Sequence, residues 1–428
     1  HPQQPKPQLV SMSKPPSNLA MLRDALIVAV IAVLTVQGLR KWYGDRYLVP
    51  SDSMQPFLYG DPVHGDVVFV DKFVSADSVG RGDLVVVKNP ARAGHQLVKR
   101  IACSGDEKGK SWLNIINGDI LLGDSPQHLE IEEKDPAEAM PRSVTWGLAG
   151  GSASARAVLD MSAVTSPGTA VRDVGPWQLP PCESMLANVR SAFRIRAHRN
   201  RHRDTDDGVL PPGFIGTNQP VNATFVDLTG MRSLTGDSTP VVDCGIEMQF
   251  ETLPEVVLAS IDSTDFTTTF VWNARGNTVS VWLNGSSLRD VANVLSGDWL
   301  GKLTFGRLDG RDFLMLDDSY TLPLAIPGKA KSPLPRTWVH VGVVGKTTAS
   351  IGSFRVFRDL FATRGNHHLN IGTPKWPLHV EPGHWFLLGD NCFNSTDSRG
   401  LGPQPTSGFL GIPTYVLGPW SRARRLRP

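Results

Sequence analysis

Cysteine is scarce: the four in 428 residues, at 103, 182, 244 and 392, form neither a C-x-x-C pair nor a metal-ligand spacing. No zinc site is expected from them. Free buried thiols and disulfides both remain open, and in the oxidised case four cysteines allow three full connectivities. Charge of one sign is lacking too. Forty-three Lys and Arg stand against 41 Asp and Glu, for a formal charge of +2, so no global attraction to nucleic acid is expected. Long apolar runs are also missing. Ala25 to Val36, ALIVAVIAVLTV, reaches Leu39 only by including Gln37 and Gly38, short of the roughly 20 residues that a spanning helix needs.

Three readings compete for that run: a short transmembrane anchor, a cleaved leader and a buried helix. Arg23 before it and Arg40, Lys41 and Arg46 after it leave its orientation undecided. The lack of an A-x-A-like site after it weakens the leader reading. The reading adopted is a single-pass anchor over 25–41. It follows a flexible tail, 1–24, whose Pro, Gln, Ser and Lys cannot bury enough apolar surface to offset ordering entropy.

What is present points to a loop-rich, mainly β protein. Hydrophobic residues make up 40% and charged residues 20%, with 41 glycines and 33 prolines, and the length accommodates two or three cores. From Tyr47 to about Gly123, short runs such as Val67 to Val70 and Leu84 to Val87 alternate with Gly-Asp turns, as in a compact β unit. Residues 124–376 read as an insertion. Within it Arg194 to Arg203, RIRAHRNRHR, is a solvated surface segment or an anionic-ligand patch. At about 221–361 the period-two signal is clear: Ile246, Met248 and Phe250 alternate with Glu247, Gln249 and Glu251, and Val279, Val281 and Leu283 lead into an Asn284-Gly285 turn. Many short strands at regular spacing predict a β-sandwich. Residues 377–428 complete the first unit and end in a basic tail.

Chemistry-bearing residues flank the long middle section. Pro50-Ser51-Asp52-Ser53-Met54-Gln55-Pro56 sets a serine on a proline-bounded turn, and Leu97-Val98-Lys99-Arg100-Ile101 sets a lysine within an apolar strand. Taken alone, these are an ordinary turn and a solvent-facing edge lysine. Taken together, a lysine desolvated beside a serine is a candidate general base, because burial disfavours the ammonium form. The third segment, Phe386 to Gly400 (FLLGDNCFNSTDSRG), is an apolar strand running into a dense polar turn.

With that third segment the chain resembles the type I signal peptidases. That family combines an N-terminal anchor with the boxes S-x-S-M-x-P, G-D-[ILV]-V-V, V-K-R-I and F-x-x-G-D-N-x-x-N-S-x-D-S-R, and all five elements occur here in order. The resemblance implies a signal-peptidase-type β catalytic fold with an N-terminal membrane helix and an inserted β-sandwich-like domain. It implies Ser53 as nucleophile, Lys99 as general base, and Ser51 joining the Ser53 amide in an oxyanion hole. Ser395 would orient the lysine, Asp397 and Arg399 would form a supporting ion pair, Gly389, Asp390 and Asn391 would shape the wall, and Arg100 would be structural. Two departures stand out: Asp52 where glycine is common, and Cys392-Phe393 in place of Arg-Asp. A carboxylate at 52 is expected to favour protonated Lys99. The insertion weakly resembles lectin-like, laminin-G-type jelly rolls through VWLNGSSL and SFRVFRDLF.

The implied activity is acyl transfer at exported preproteins with small residues before the cut, with no cofactor and no metal. The implied location is the bacterial inner membrane, with the catalytic part on the outer face. No G-x-S-x-G elbow or H-E-x-x-H helix supports a triad hydrolase or a zinc protease; His95, His367, His368 and His384 are read as surface or core residues. Two rivals remain. A self-cleaving repressor would need a DNA-binding module, and no helix-turn-helix precedes Ser53. The other rival is a lectin-like protein, binding glycan or protein through the insertion, on a degenerate peptidase scaffold.

Overall fold

The computed structural model describes residues 18–139, 144–145, 177–179, 214–216, 225–226, 233–234, 241–264, 266–325, 336–344, 349–365 and 374–426. The basic stretch 194–203, Cys182, His367 and His368 lie outside the described residues. The chain is mainly β, as its composition and alternation predict.

Asn18–Trp42 forms a helix, α1, which extends past both ends of the expected segment. The expected transmembrane anchor is corrected, because among the described residues no helix is long and apolar enough to cross a membrane. The twelve-residue run Ala25 to Val36 extends about 18 Å at 1.5 Å per residue, against a hydrocarbon core of about 30 Å. The run nevertheless stands in the open, with Leu26, Val28, Ile31 and Leu34 all exposed.

Four strands follow: β1 (Gly44–Leu48), β2 (Val67–Asp71), β3 (Leu84–Lys88) and β4 (Gln96–Ser104). They do not close a sheet alone. The antiparallel order is β1, β2, Phe409–Gly418, β3, β4, His384–Leu388 and Gln404–Pro405, so segments from the far end of the chain are interleaved with the near end. Apolar clusters lie on both faces: Val68, Val70, Leu84 and Val86 with Met54 and Leu58, and Val85, Val87 and Ile101 with Trp385 and Leu387. Burial on two faces explains why β3 is continuously apolar rather than alternating.

A second sheet is built from Leu378–His379, β5 (Trp112–Ile116), β6 (Asp119–Ser125) and β7 (His128–Ile131). Its pairing runs on to Ile131, past the boundary at 123 expected from sequence. Leu113, Ile115 and Leu122 pack against Phe386 and Leu388 of the first sheet.

Two further antiparallel sheets share one core. One, of six strands, includes Val256–Ser263, Thr267–Asn273, Thr278–Leu283 and Thr337–Val344; the other, of seven, includes Cys244–Thr252, Lys302–Leu308, Arg311–Leu316 and Ala349–Arg358. Ile246, Met248, Phe250, Leu303 and Phe305 face Val257, Ile261, Phe270, Val281 and Val341 across it. The odd–even pattern in the sequence decides this, since alternate side chains point to opposite faces. Asn284 and Gly285 both have positive φ, 50° and 76°, the two-residue hairpin turn expected of Asn-Gly.

An ion cluster ties this sandwich to the second sheet. Lys134, just after β7, reaches Asp309 and Asp359, each at 2.5 Å. The Asp309 amide donates to Asp243 at 2.8 Å, and carboxylate oxygens of Asp119, Asp243 and Asp309 lie within 4.8 Å of one another.

Candidate active site

The turn carrying Ser53 is a single 3-10 turn, Asp52–Met54, entered from an extended Ser51. Met54 and Leu58 are wholly buried in the first sheet's core. Each such burial is worth about 1.5–3 kcal/mol, so the turn is pinned by its apolar flank while Ser53 looks toward β4. Lys99 lies opposite Val85 in the β3–β4 pairing. Read in isolation this lysine belongs at an edge; it is interior, because His384–Leu388 covers the other side of β4. Its side chain is 2% exposed and Ser53 is 8% exposed.

Lys99 Nζ lies 2.7 Å from Ser53 Oγ and 2.9 Å from the Val98 carbonyl. Ser51 Oγ donates to Ser53 Oγ at 3.4 Å, a long bond. Burial pulls the Lys99 ammonium down from its ordinary value to about 8; Asp397 and Asp390 oppose that, and Arg399 assists it. Asp52 is not among these leading influences, contrary to the sequence expectation. Its carboxylate instead accepts from Gln55 Nε2 at 3.2 Å.

The turn after His384–Leu388 supplies the opposite wall. Gly389 is obligatory there: a Cβ would fall 2.2 Å from Ser395 Oγ and 2.4 Å from the Ser53 carbonyl. Ser395 is buried, and this near-contact places its hydroxyl beside the Ser53 turn. The Asn391 amide donates to the Ser53 carbonyl at 3.1 Å, while Asn391 Nδ2 is buried without a hydrogen-bond partner. Asp397 and Arg399, both fully buried, form a two-pronged pair with bonds of 2.8 Å. Asp397 also accepts from the Gly389 amide at 3.1 Å, which ties the ion pair to the glycine turn. Arg100 holds Asp390 with bonds of 2.8 and 2.6 Å, binds the Gly82 carbonyl at 2.7 Å and lies over the Phe57 ring. All ten residues singled out from sequence, Ser51, Ser53, Lys99, Arg100, Gly389, Asp390, Asn391, Ser395, Asp397 and Arg399, thus converge on one place.

Sequence reasoning misses Thr363 and Gly365, which lie within the expected insertion. Arg399 Nη1 donates to Thr363 Oγ1 at 2.8 Å and to the Gly365 carbonyl at 3.0 Å, and Nη2 donates to the Cys392 carbonyl at 2.7 Å. Carbonyl acceptors carry no side-chain signature, so sequence offers no handle on two of these three. Cys103, Cys244 and Cys392 are free and buried, and burial pushes the Cys392 thiol up to about 11 and the Cys103 thiol up to about 12.

The sequence profile of the family "Signal peptidase, peptidase S26" matches residues 22–108. Signal peptidase I of Aquifex aeolicus is 31% identical over 87 residues, which is 20% of this chain and 32% of that protein. Signal peptidase I of Mycobacterium tuberculosis is 35% identical over 77 residues, 18% of this chain and 26% of that protein. The chain therefore spans about a third or less of the length of the curated relatives it matches. Among solved structures, alginate lyase A1-II' overlaps 36% of this chain and 75% of its own at 15% identity and a TM-score of 0.24. A toad ovary galectin overlaps 27% and 89% at 5% identity and a TM-score of 0.20. At such scores these overlaps carry no argument. The comparisons establish a relation to the S26 signal peptidases, and so to peptidase hydrolases, over the part of the chain that bears Ser53 and Lys99.

Proposed function

We propose that this chain is a serine endopeptidase that removes N-terminal signal peptides from exported preproteins, with Ser53 as nucleophile and Lys99 as general base. The single observation that carries the reading is the 2.7 Å approach of Lys99 Nζ to Ser53 Oγ inside the protein. Near pH 8 a substantial fraction of the lysine is the neutral amine, able to take the hydroxyl proton as the oxygen attacks the scissile carbonyl. The Ser53 amide and the Ser51 hydroxyl would then hold the oxyanion. Proton return from Lys99 to the leaving amine frees the mature protein, and water deprotonated by the same amine releases the signal peptide from Ser53.

Support for substrate class comes from the S26 relation; support for action at a membrane comes from α1. A helix that is apolar on its open faces calls for an apolar cover, and we assign that cover to a lipid surface of the bacterial inner membrane. Confinement to one surface raises the effective concentration of enzyme and substrate. Removing residues 18–42 is expected to release the protein from lipid vesicles in flotation; undiminished flotation of the truncated chain counts against this assignment.

The competing reading, a lectin-like binding protein on an inactive scaffold, draws on the sandwich. Against it stands the retention of the dyad, Ser395 and the buried Asp397–Arg399 pair, gathered in one site. The deciding experiment is cleavage of a small-residue preprotein by the full chain beside Ser53→Ala and Lys99→Ala. Activity lost in both variants supports the peptidase; an inactive parent, or active variants, favours the binding protein.

A further inference from the structure

Where the chain leaves the sandwich, after the strand Ala349–Arg358, it does not run off into solvent. Phe361 stacks on Phe393 with ring centroids 6.1 Å apart and planes 6° from parallel, and Val241 completes that small cluster. Thr363 and Gly365 accept from the guanidinium of Arg399. Arg364 donates to the Ile115 carbonyl at 2.7 Å and to Asn114 Oδ1 at 2.8 Å, both on β5, so the segment is clamped from the opposite side. The Ala362 amide donates to the Gly118 carbonyl at 3.0 Å. Residues 361, 363 and 365 thereby hold the loop 389–399, while 362 and 364 anchor to the second sheet. The loop so held carries Gly389, Ser395 and Asp397 beside Lys99.

This accounts for one of the sequence departures. At 393 the family pattern has a polar residue, whereas here Phe393 fills the apolar contact that Phe361 and Val241 offer.

We propose that Phe361 and Thr363 are positioning residues of the peptidase site: the exit segment of the sandwich sets the loop that packs Ser395 and Asp397 against the Ser53–Lys99 pair. The inference rests on the peptidase reading above. Phe361 acts by fixing Phe393, and Thr363 by fixing the Arg399 guanidinium, which in turn fixes Asp397 and the Gly389 amide. The groups that act electrostatically on Lys99, namely Asp397, Asp390, Arg399 and Cys392, are all carried on this one loop, so a loosened loop admits water to the amine.

The test uses the full chain with a preprotein substrate. Phe361→Ala and Thr363→Val are compared with the parent, Thr363→Ser, the inactive control Ser53→Ala, and Val343→Ala, a sandwich-core change that lowers stability without touching the loop. Misplacement of a supporting group by about 1 Å costs up to ~100-fold in rate. The expected result is a kcat lower by about tenfold or more in Phe361→Ala and Thr363→Val, with KM within about twofold. The midpoint of the rising limb of the kcat/KM–pH profile should move up from about 8, since hydration of Lys99 undoes its lowering by burial. Thr363→Ser should retain the parent values. The proposal is overturned if both variants merely lose thermal stability, as Val343→Ala does, with kcat and pH midpoint unchanged. A parent as inactive as Ser53→Ala overturns the peptidase reading itself, and this proposal with it.

Discussion

Lys99 is costly to bury. Its ammonium is taken out of water with a hydroxyl and a carbonyl as its bonded partners, and the protein responds by lowering its proton affinity. In the proposed mechanism the neutral amine is the working form, so kcat/KM should rise with pH and level off above a midpoint near 8. A profile taken from about pH 6 to about pH 10 brackets that limb, and a flat profile across it would contradict Lys99 as base. Arg399 is the counter-case, a charge buried with full compensation. Arg399→Leu strands Asp397 in the interior, and loss of one partner of a buried pair typically costs about 3–5 kcal/mol. Denaturant unfolding of the variant should show a loss of that size, accompanied by loss of activity through the Gly389 amide that Asp397 holds.

Among the elements, the turn following His384–Leu388 leaves no room for a side chain at Gly389. Gly389→Ala inserts a methyl where Ser395 Oγ and the Ser53 carbonyl already stand, so either the Ser53 turn or the Ser395 turn must move. A displacement of about 1 Å at reacting groups costs on the order of 100-fold in rate. The expected outcome is a kcat reduced by about that factor, with the sandwich core intact as read by near-ultraviolet signals from Trp272 and Trp299, which meet edge to face there. By contrast, the Asn284-Gly285 turn is bonded to Thr267 within the sandwich itself, and its alteration belongs to sandwich stability alone.

At the scale of the whole molecule, sandwich and second sheet are joined through charge. Burial raises the Asp309 carboxyl to about 7, with Lys134 opposing that and Asp359 adding to it. Asp119 and Asp243 are raised as well, again chiefly by burial. A carboxyl whose proton affinity is higher in the folded state stabilises when protonated, and that contribution fades as pH climbs from about 4 toward 7. The junction is therefore expected to be firmer near pH 5 than near pH 8. Lys134→Met removes the cation that Asp309 and Asp359 share, and should lower the unfolding midpoint more at the higher pH than at the lower. Thermal unfolding at the two values measures the difference, and an equal loss at both would show that the carboxyls do not titrate in this range.

Much of this architecture is legible in the chain itself. Period-two alternation in residues 246–251 and 279–283 determines which faces turn inward, because strand geometry leaves no other choice. The types and order of Ser53, Lys99, Ser395, Asp397 and Arg399 determine the chemistry to look for. Sequence by itself does not say whether Lys99 is an edge residue or an interior one. That is decided by a strand almost 290 positions away covering β4, as the Arg100–Asp390 bond reflects. The shortness of the apolar run is legible in the chain; that it stands exposed within a 25-residue helix is not. The contribution of Phe361, Thr363 and Gly365 to the site is decided only by tertiary structure. Their role depends on ring stacking and carbonyl positions, which arise when distant segments pack and leave no local pattern in the chain.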